Sequence, residues 1–167
     1  MHAATNEKQA QKLLNTPDAA TKGLRARAIL AVLLGCGLRR SEVAALTACH
    51  VQQRDGRWCI VDLVGKHGRV RTIPMPTWVK VAQDAWTCAA AVTDGFVFRP
   101  VNRGGEVQST GLSEKVVWQL LQGYAAAVGV PGIVPHDLRR YAVFRTMPCS
   151  NDVIPRDIDL TAGTKLI

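Results

Sequence analysis

No C-x-x-C pair occurs among the five cysteines (Cys36, Cys49, Cys59, Cys88 and Cys149), and their odd number leaves no complete disulfide framework. Three of them lie inside apolar runs, where a thiol behaves as a small hydrophobe. The pattern excludes a zinc-ribbon type of site and describes a reduced, cytoplasmic protein. Long apolar runs are missing too. The longest, Ala28 to Leu34, is far short of the roughly 20 residues that a membrane helix needs. The opening Met1-His2-Ala3-Ala4-Thr5-Asn6-Glu7-Lys8 lacks the apolar segment of a secretion signal. Repeats and low-complexity blocks are absent. Acidic residues are scarce, and they form no carboxylate cluster suited to a metal ion.

What is present is basic charge. Lys and Arg number 21 against 13 Asp and Glu, a net of +8 over 167 residues. That length fits one domain with a full hydrophobic core. In the last twenty positions, Asp152, Asp157 and Asp159 outweigh Arg156 and Lys165 by one, so residues 1–147 carry +9. Such an excess favours a polyanionic partner, nucleic acid above all, although generic solubility charge is the plain alternative.

The periodicity changes twice along the chain. Residues 7–14 read as a short helix, closed by Asn15-Thr16-Pro17-Asp18. Residues 24–34 form a second helix, apolar nearly all round and therefore buried. Gly35-Cys36-Gly37 breaks it, and Ser41 or a neighbour starts a short helix through Leu46. Three β-rich runs follow, at 50–54, 58–64 and 70–75. Asp55-Gly56-Arg57 and Gly65-Lys66-His67-Gly68-Arg69 separate them, which predicts a three-stranded antiparallel sheet. Helical spacing returns at 77–91, where Trp78, Val81, Ala82, Ala85, Trp86 and Ala89 share a face and Thr77 is the candidate N-cap. The tryptophans there read as core anchors. Phe96-Val97-Phe98 is extended, and Ser113 caps another helix with Val116, Val117, Leu120, Leu121, Tyr124 and Val128 inward. A further helix starts near His136. After Met147 neither period survives, so residues 148–167 read as a poorly ordered tail. The fold class is α+β, mostly helical, with helices packed around a small sheet.

Three short motifs carry the chemistry. His136 and Arg139 are three positions apart, on one helical face, a spacing that a surface ion pair would also give. Gly37-Leu38-Arg39-Arg40-Ser41-Glu42 and the Lys66 turn lie upstream. Together Arg39, Lys66, His136 and Arg139 suit a phosphodiester. Two guanidiniums clamp its non-bridging oxygens, a lysine protonates the leaving oxygen, and a histidine exchanges a proton with the nucleophile. No metal or small-molecule cofactor is needed.

These residues resemble the tyrosine recombinases, also called the phage integrase family. The G-L-R-x-S-E box is matched at residues 37–42 and the hairpin lysine turn at 65–71. H-x-L-R is matched by His136-Asp137-Leu138-Arg139, all in the family's order. The resemblance covers roughly residues 7 to 146. It implies the DNA breaking-rejoining catalytic fold over residues 1–147, with double-stranded DNA and other recombinase protomers as partners. By that resemblance Arg39 and Arg139 are the phosphate-clamping arginines, Lys66 the hairpin general acid and His136 the acid/base. Glu42 orients Arg39 by an ion pair. Arg40, Arg69, Arg71 and Arg140 are candidates for DNA backbone contacts, with solvated surface charge as the alternative. His50 and His67 read as turn and surface residues.

The chain departs from the family in one respect that matters. The family's covalent nucleophile is a tyrosine thirty or more residues beyond the second arginine, after a Gly-His or Gly-Trp box. Here the tyrosines are Tyr124 and Tyr141 alone, and no histidine or tryptophan follows His136. The expectation is a catalytic-domain fragment, without the family's N-terminal DNA-clamping domain, that binds DNA but cannot cleave it alone. Two alternatives remain: a non-catalytic DNA- or recombinase-binding module that modulates an intact integrase, and a basic α+β domain with no nucleic-acid role. The last requires Arg39, Lys66, His136 and Arg139 to lie more than about 15 Å apart, out of reach of one phosphate.

Overall fold

A computed structural model describes residues 7–134 and 137–139, the Lys66 side chain excepted. His136, Arg140, Tyr141 and the tail therefore lie outside the described residues. In chain order the elements are α1 (Glu7–Asn15), α2 (Thr21–Cys36), α3 (Arg40–Ala45), β1 (Val51–Arg54), β2 (Arg57–Val64), β3 (Val70–Pro74), α4 (Thr77–Ala89) and α5 (Glu114–Ala127). Short 3-10 turns sit at Ala48–His50 and Lys66–Gly68, and residues 137–139 are helical. The expected class is the observed one: helices around a three-stranded antiparallel sheet ordered β1-β2-β3.

Helix α2 is the axis. Every residue from Gly23 to Cys36 is buried, and α4 packs along it with α1 and α5 on other sides. It runs longer than the expected 24–34, and two charges go inside with it. Arg27 donates from Nε to the Leu14 carbonyl at 3.0 Å and from Nη2 to the Pro17 carbonyl at 2.9 Å. Arg25 donates from Nη1 to the Arg99 carbonyl at 3.1 Å. Each buried guanidinium thus satisfies backbone acceptors left over where a loop or a helix end meets α2.

The first hairpin follows from Asp55-Gly56. Both residues have positive φ (51° and 76°), and Arg54 pairs with Arg57, the geometry of a tight type I′ turn. The β2–β3 pairing slips between Ile60 and Leu63, where Asp62 takes a φ of 54°. This bulge lets Leu63 pair with Arg71, two residues before buried Ile73, so Arg71 and Ile73 share the inward face of β3.

Helix α4 presents a different stripe from the one its spacing suggested. Trp78, Val79, Ala82, Gln83 and Trp86 are buried, while Val81 is exposed. The cap residue is Pro76, with Thr77 the first helical residue. Trp86 is an anchor as expected; its indole N–H donates to the Val97 carbonyl at 2.8 Å, fixing the extended 96–98 segment. Ser113 caps α5 as expected, its hydroxyl accepting from the Val116 N–H at 3.3 Å. Val117, Leu121 and Ala125 form the buried stripe of α5. No helix among the described residues is long and apolar enough to cross a membrane.

Candidate functional site

Two arginines reach one pocket by the same local device. Gly37, in the left-handed region at φ 65°, ends α2, and Leu38 plugs the core with no exposure. The chain then turns through extended Arg39 into α3. At the other end of the sequence Leu138 is equally buried, and Asp137 caps its own turn by accepting from the Val134 N–H at 3.1 Å. In both segments a fully buried leucine precedes the arginine, so the backbone cannot rotate the guanidinium away. The two arginines line one cavity of about 420 Å³, together with Leu38, Arg40, Ser41, Glu114, Trp118 and Val134.

A single carboxylate organises the cluster. Glu42, 3% exposed, lies one turn beyond Arg39. Its Oε2 accepts from the Arg39 backbone N–H at 2.7 Å, which is the reaching-back half of a capping box. Its Oε1 accepts from Arg39 Nη1 at 3.2 Å. Both oxygens also accept from Arg71 Nη2, each at 2.7 Å. The expected Arg39–Glu42 pair is therefore present, but Arg71 shares the carboxylate and holds it more closely.

The charge balance leaves the site electropositive. Burial lowers the affinity of the Arg139 guanidinium for its proton, and Arg39 and then Arg71 push it the same way; Glu42 opposes them. Mutual repulsion of this kind among arginines marks a place where an anion is welcome. The Arg40 guanidinium stacks over the Trp118 ring, 5.2 Å from its centroid, at the rim of the same cavity.

The second hairpin meets the cluster at Gly65. A Cβ there would lie 3.6 Å from both Arg39 Nη1 and Glu42 Oε1, so the strand backbone passes directly over the ion pair. The turn carrying Lys66 is closed by Gly65 N–H donating to the Arg69 carbonyl at 2.8 Å. His67 takes a left-handed φ of 66° at its exposed tip, and Arg69 is exposed beside it. The Lys66 backbone thus follows immediately on the residue beside the Arg39–Glu42 pair. His50 is spent locally, its Nδ1 accepting from the Thr47 N–H at 3.0 Å. Among the described residues no group of three or more His, Cys, Asp or Glu could hold a metal ion.

Tyr124 stands apart from all this. It is half-buried on α5, where burial and then Asp18 raise its phenol above the ordinary value while Arg25 and Arg27 oppose. Those neighbours belong to the α1–α2 side of the molecule, not to the arginine cavity. Sequence reading missed two features of the site: the Arg71–Glu42 pair and Trp118 beneath Arg40. The first had a signal, since Arg71 is in alternation with Ile73 and Met75 and so faces inward. The second had none, because α3 and α5 are distant in sequence.

The chain matches the model of the phage integrase family over residues 4–147. It is 32% identical over 142 residues to the tyrosine recombinase XerD of Neisseria meningitidis serogroup A, covering 80% of this chain and 45% of that protein. With the XerD of Xanthomonas axonopodis pv. citri it is 34% identical over 149 residues, covering 81% of this chain and 47% of that protein. The chain thus spans less than half the length of these relatives. Its fold resembles that of the XerA recombinase, with a TM-score of 0.66 over 87% of this chain and 50% of that one, at 18% identity. It also resembles the XerH site-specific recombinase in a pre-cleavage complex with its difH substrate, with a TM-score of 0.63 over 84% of this chain, 42% of that one, and 16% identity.

Proposed function

The chain belongs to the phage integrase family of tyrosine recombinases, and from that premise we propose that residues 1–147 act as a recombinase catalytic-type domain that grips a phosphodiester of double-stranded DNA. The observation that carries this reading is the meeting of Arg39 and Arg139, from opposite ends of the sequence, on one cavity around a single buried carboxylate. Two forks aimed at one anion suit the paired non-bridging oxygens of a phosphate and the charge that grows on them during attack. Lys66, next in sequence to Gly65, is assigned the leaving oxygen through its place in the hairpin motif. His136 is assigned the proton exchange with the nucleophile through its place in the second motif. Arg40, Arg69 and Arg140 supply contacts to flanking phosphates.

In this reading the 167-residue chain binds but does not cut. Tyr124 faces the α1–α2 side, and Tyr141 comes two residues after Arg139, not at the thirty or more of the family's nucleophile. Other recombinase protomers are the partners that would supply a nucleophile. The test is a gel-shift titration with duplex DNA, run with Arg39→Ala and Arg139→Ala. Each substitution is expected to weaken binding by a factor on the order of ten, about 1.4 kcal/mol for one charge-assisted contact. Unchanged binding by both variants would remove the basis of the proposal. A nicked suicide substrate incubated with the chain alone should trap no covalent protein–DNA adduct; an adduct would show that a tyrosine of this chain reaches the phosphate.

A further inference from the structure

We propose that Arg71 is a positioning residue that keeps Arg39 available to its anion by occupying the Glu42 carboxylate from the opposite side; the proposal rests on the phosphate-binding reading above. Glu42 has two oxygens and, among the described residues, receives four contacts. Arg71 Nη2 takes one short bond to each oxygen, at 2.7 Å. The Arg39 backbone N–H takes a third, at 2.7 Å, and the Arg39 side chain is left with a single contact at 3.2 Å. A guanidinium has five N–H donors in a planar fork. Arg39 therefore has donors to spare, and its side chain is 41% exposed toward the cavity.

Removing Arg71 would change that competition. A buried carboxylate with one guanidinium neighbour takes the bidentate fork, the strongest geometry open to it. Arg39 would then close onto Glu42 and turn the donors that face the phosphate into an internal pair. Arg71 has given up hydrogen bonding to hold its place: its Nε is buried and has no partner among the described residues. Its position on β3 also matters. The strand that carries it leaves the Lys66 turn, and Gly65 on the other side of that turn lies beside the same ion pair. One contact thus couples the seating of the hairpin to the freedom of Arg39.

The competing role for Arg71 is a direct bond to DNA phosphate, and a double-mutant cycle separates the two. Duplex binding is measured for the parent chain, Arg71→Ala, Glu42→Gln and the pair combined. If Arg71 acts through Glu42, Arg71→Ala weakens binding on the order of tenfold in the parent but about onefold once Glu42 is already Gln. Equal factors in both backgrounds would overturn the proposal in favour of direct contact. Arg71→Lys, which keeps the charge on a side chain one atom shorter, should fall between parent and Arg71→Ala and guards against simple unfolding. A second readout needs no DNA. In ¹⁵N-arginine spectra the Arg39 Nη–H protons should exchange with water more slowly in Arg71→Ala than in the parent, because the fork onto Glu42 has closed. Unaltered exchange would overturn the proposal. A parent chain that fails to bind duplex, yet shows this slowing, would refute the DNA reading and leave the competition between the two arginines standing.

Discussion

At the scale of single residues, burial and not residue type decides what each polar group can do. Glu42 and Arg139 illustrate this for the cavity, and the cysteines show it in a form that is easily measured. Cys36 is enclosed where α2 ends, and burial pushes its thiol up to about 12. Cys59 is buried on β2, whereas Cys49 and Cys88 are exposed. Only a thiolate attacks an alkylating reagent, and only where the reagent can reach it. Brief labelling of the native chain with iodoacetamide at pH 8, followed by peptide mass spectrometry, should therefore modify Cys49 and Cys88 while Cys36 and Cys59 wait for denaturant. Prompt native labelling of Cys36 would contradict its enclosure. The sign of the linked pH effect follows from the neutral form being the one the fold prefers. Stability from Cys36 is intact below the unfolded thiol value near 9 and declines as pH rises from there to about 12. A Cys36→Ala chain should lose less stability than the parent across that alkaline window.

At the scale of elements, the packing of α2 against α4 sets the register that the site depends on. At Gly35 the two helices pack tightly: a Cβ there would sit 2.3 Å from Val79 Cγ2 and 2.9 Å from Trp78 Cζ2, both side chains buried. Overpacking a rigid core costs about 1–3 kcal/mol, and a contact this short belongs at the upper end. The roughly 1 kcal/mol of helix propensity gained does not offset it. Gly35→Ala should lower the melting temperature by about 4 °C or more, and an equal or higher midpoint would show that α4 can yield. The same contact explains which parts of the fold were legible. Asp55-Gly56 and Ser113 announce a turn and a cap through local chemistry, and both are found where expected. The face of α4 was legible only in part, because Val79 and Val81 are equally apolar and flank the same stripe. What brings Val79 inward is a glycine on another helix, and no period within α4 records it. Arg25 and Arg27 escaped for the same reason. Their acceptors are Arg99, Leu14 and Pro17, all outside the element that carries the arginines. The two arginine motifs, in contrast, were readable because each carries its own anchor, Leu38 or Leu138, beside the functional residue.

At the scale of the whole molecule the question is how a net charge of +8 becomes binding to one partner and not mere attraction to any polyanion. Diffuse charge and a built site respond differently to salt. Each phosphate neutralised on duplex DNA releases condensed counterions, so log K falls against log salt with a slope of about −0.9 per contact. The proposed contacts fall on four phosphates, one shared by Arg39, Arg139 and the hairpin lysine and one each at Arg40, Arg69 and Arg140, which sets an expected slope of about −4. Removing one real phosphate ligand takes about one unit from the slope; removing a charge that only contributes to the general field leaves it nearly unchanged. Arg39→Ala and Arg139→Ala should therefore each reduce the slope by about one unit. Lys115→Ala serves as the control, since it deletes an exposed α5 charge outside the cavity lining and should shift affinity slightly with the slope intact. Binding isotherms over about 50–200 mM salt provide the measurement. If all three variants give the parent slope, the charge acts as a field and the cavity is not where DNA is held. If the two cavity arginines alone lower it, the +9 carried by residues 1–147 serves to bring DNA in, and Arg39 and Arg139 beside the buried carboxylate determine where one phosphate comes to rest.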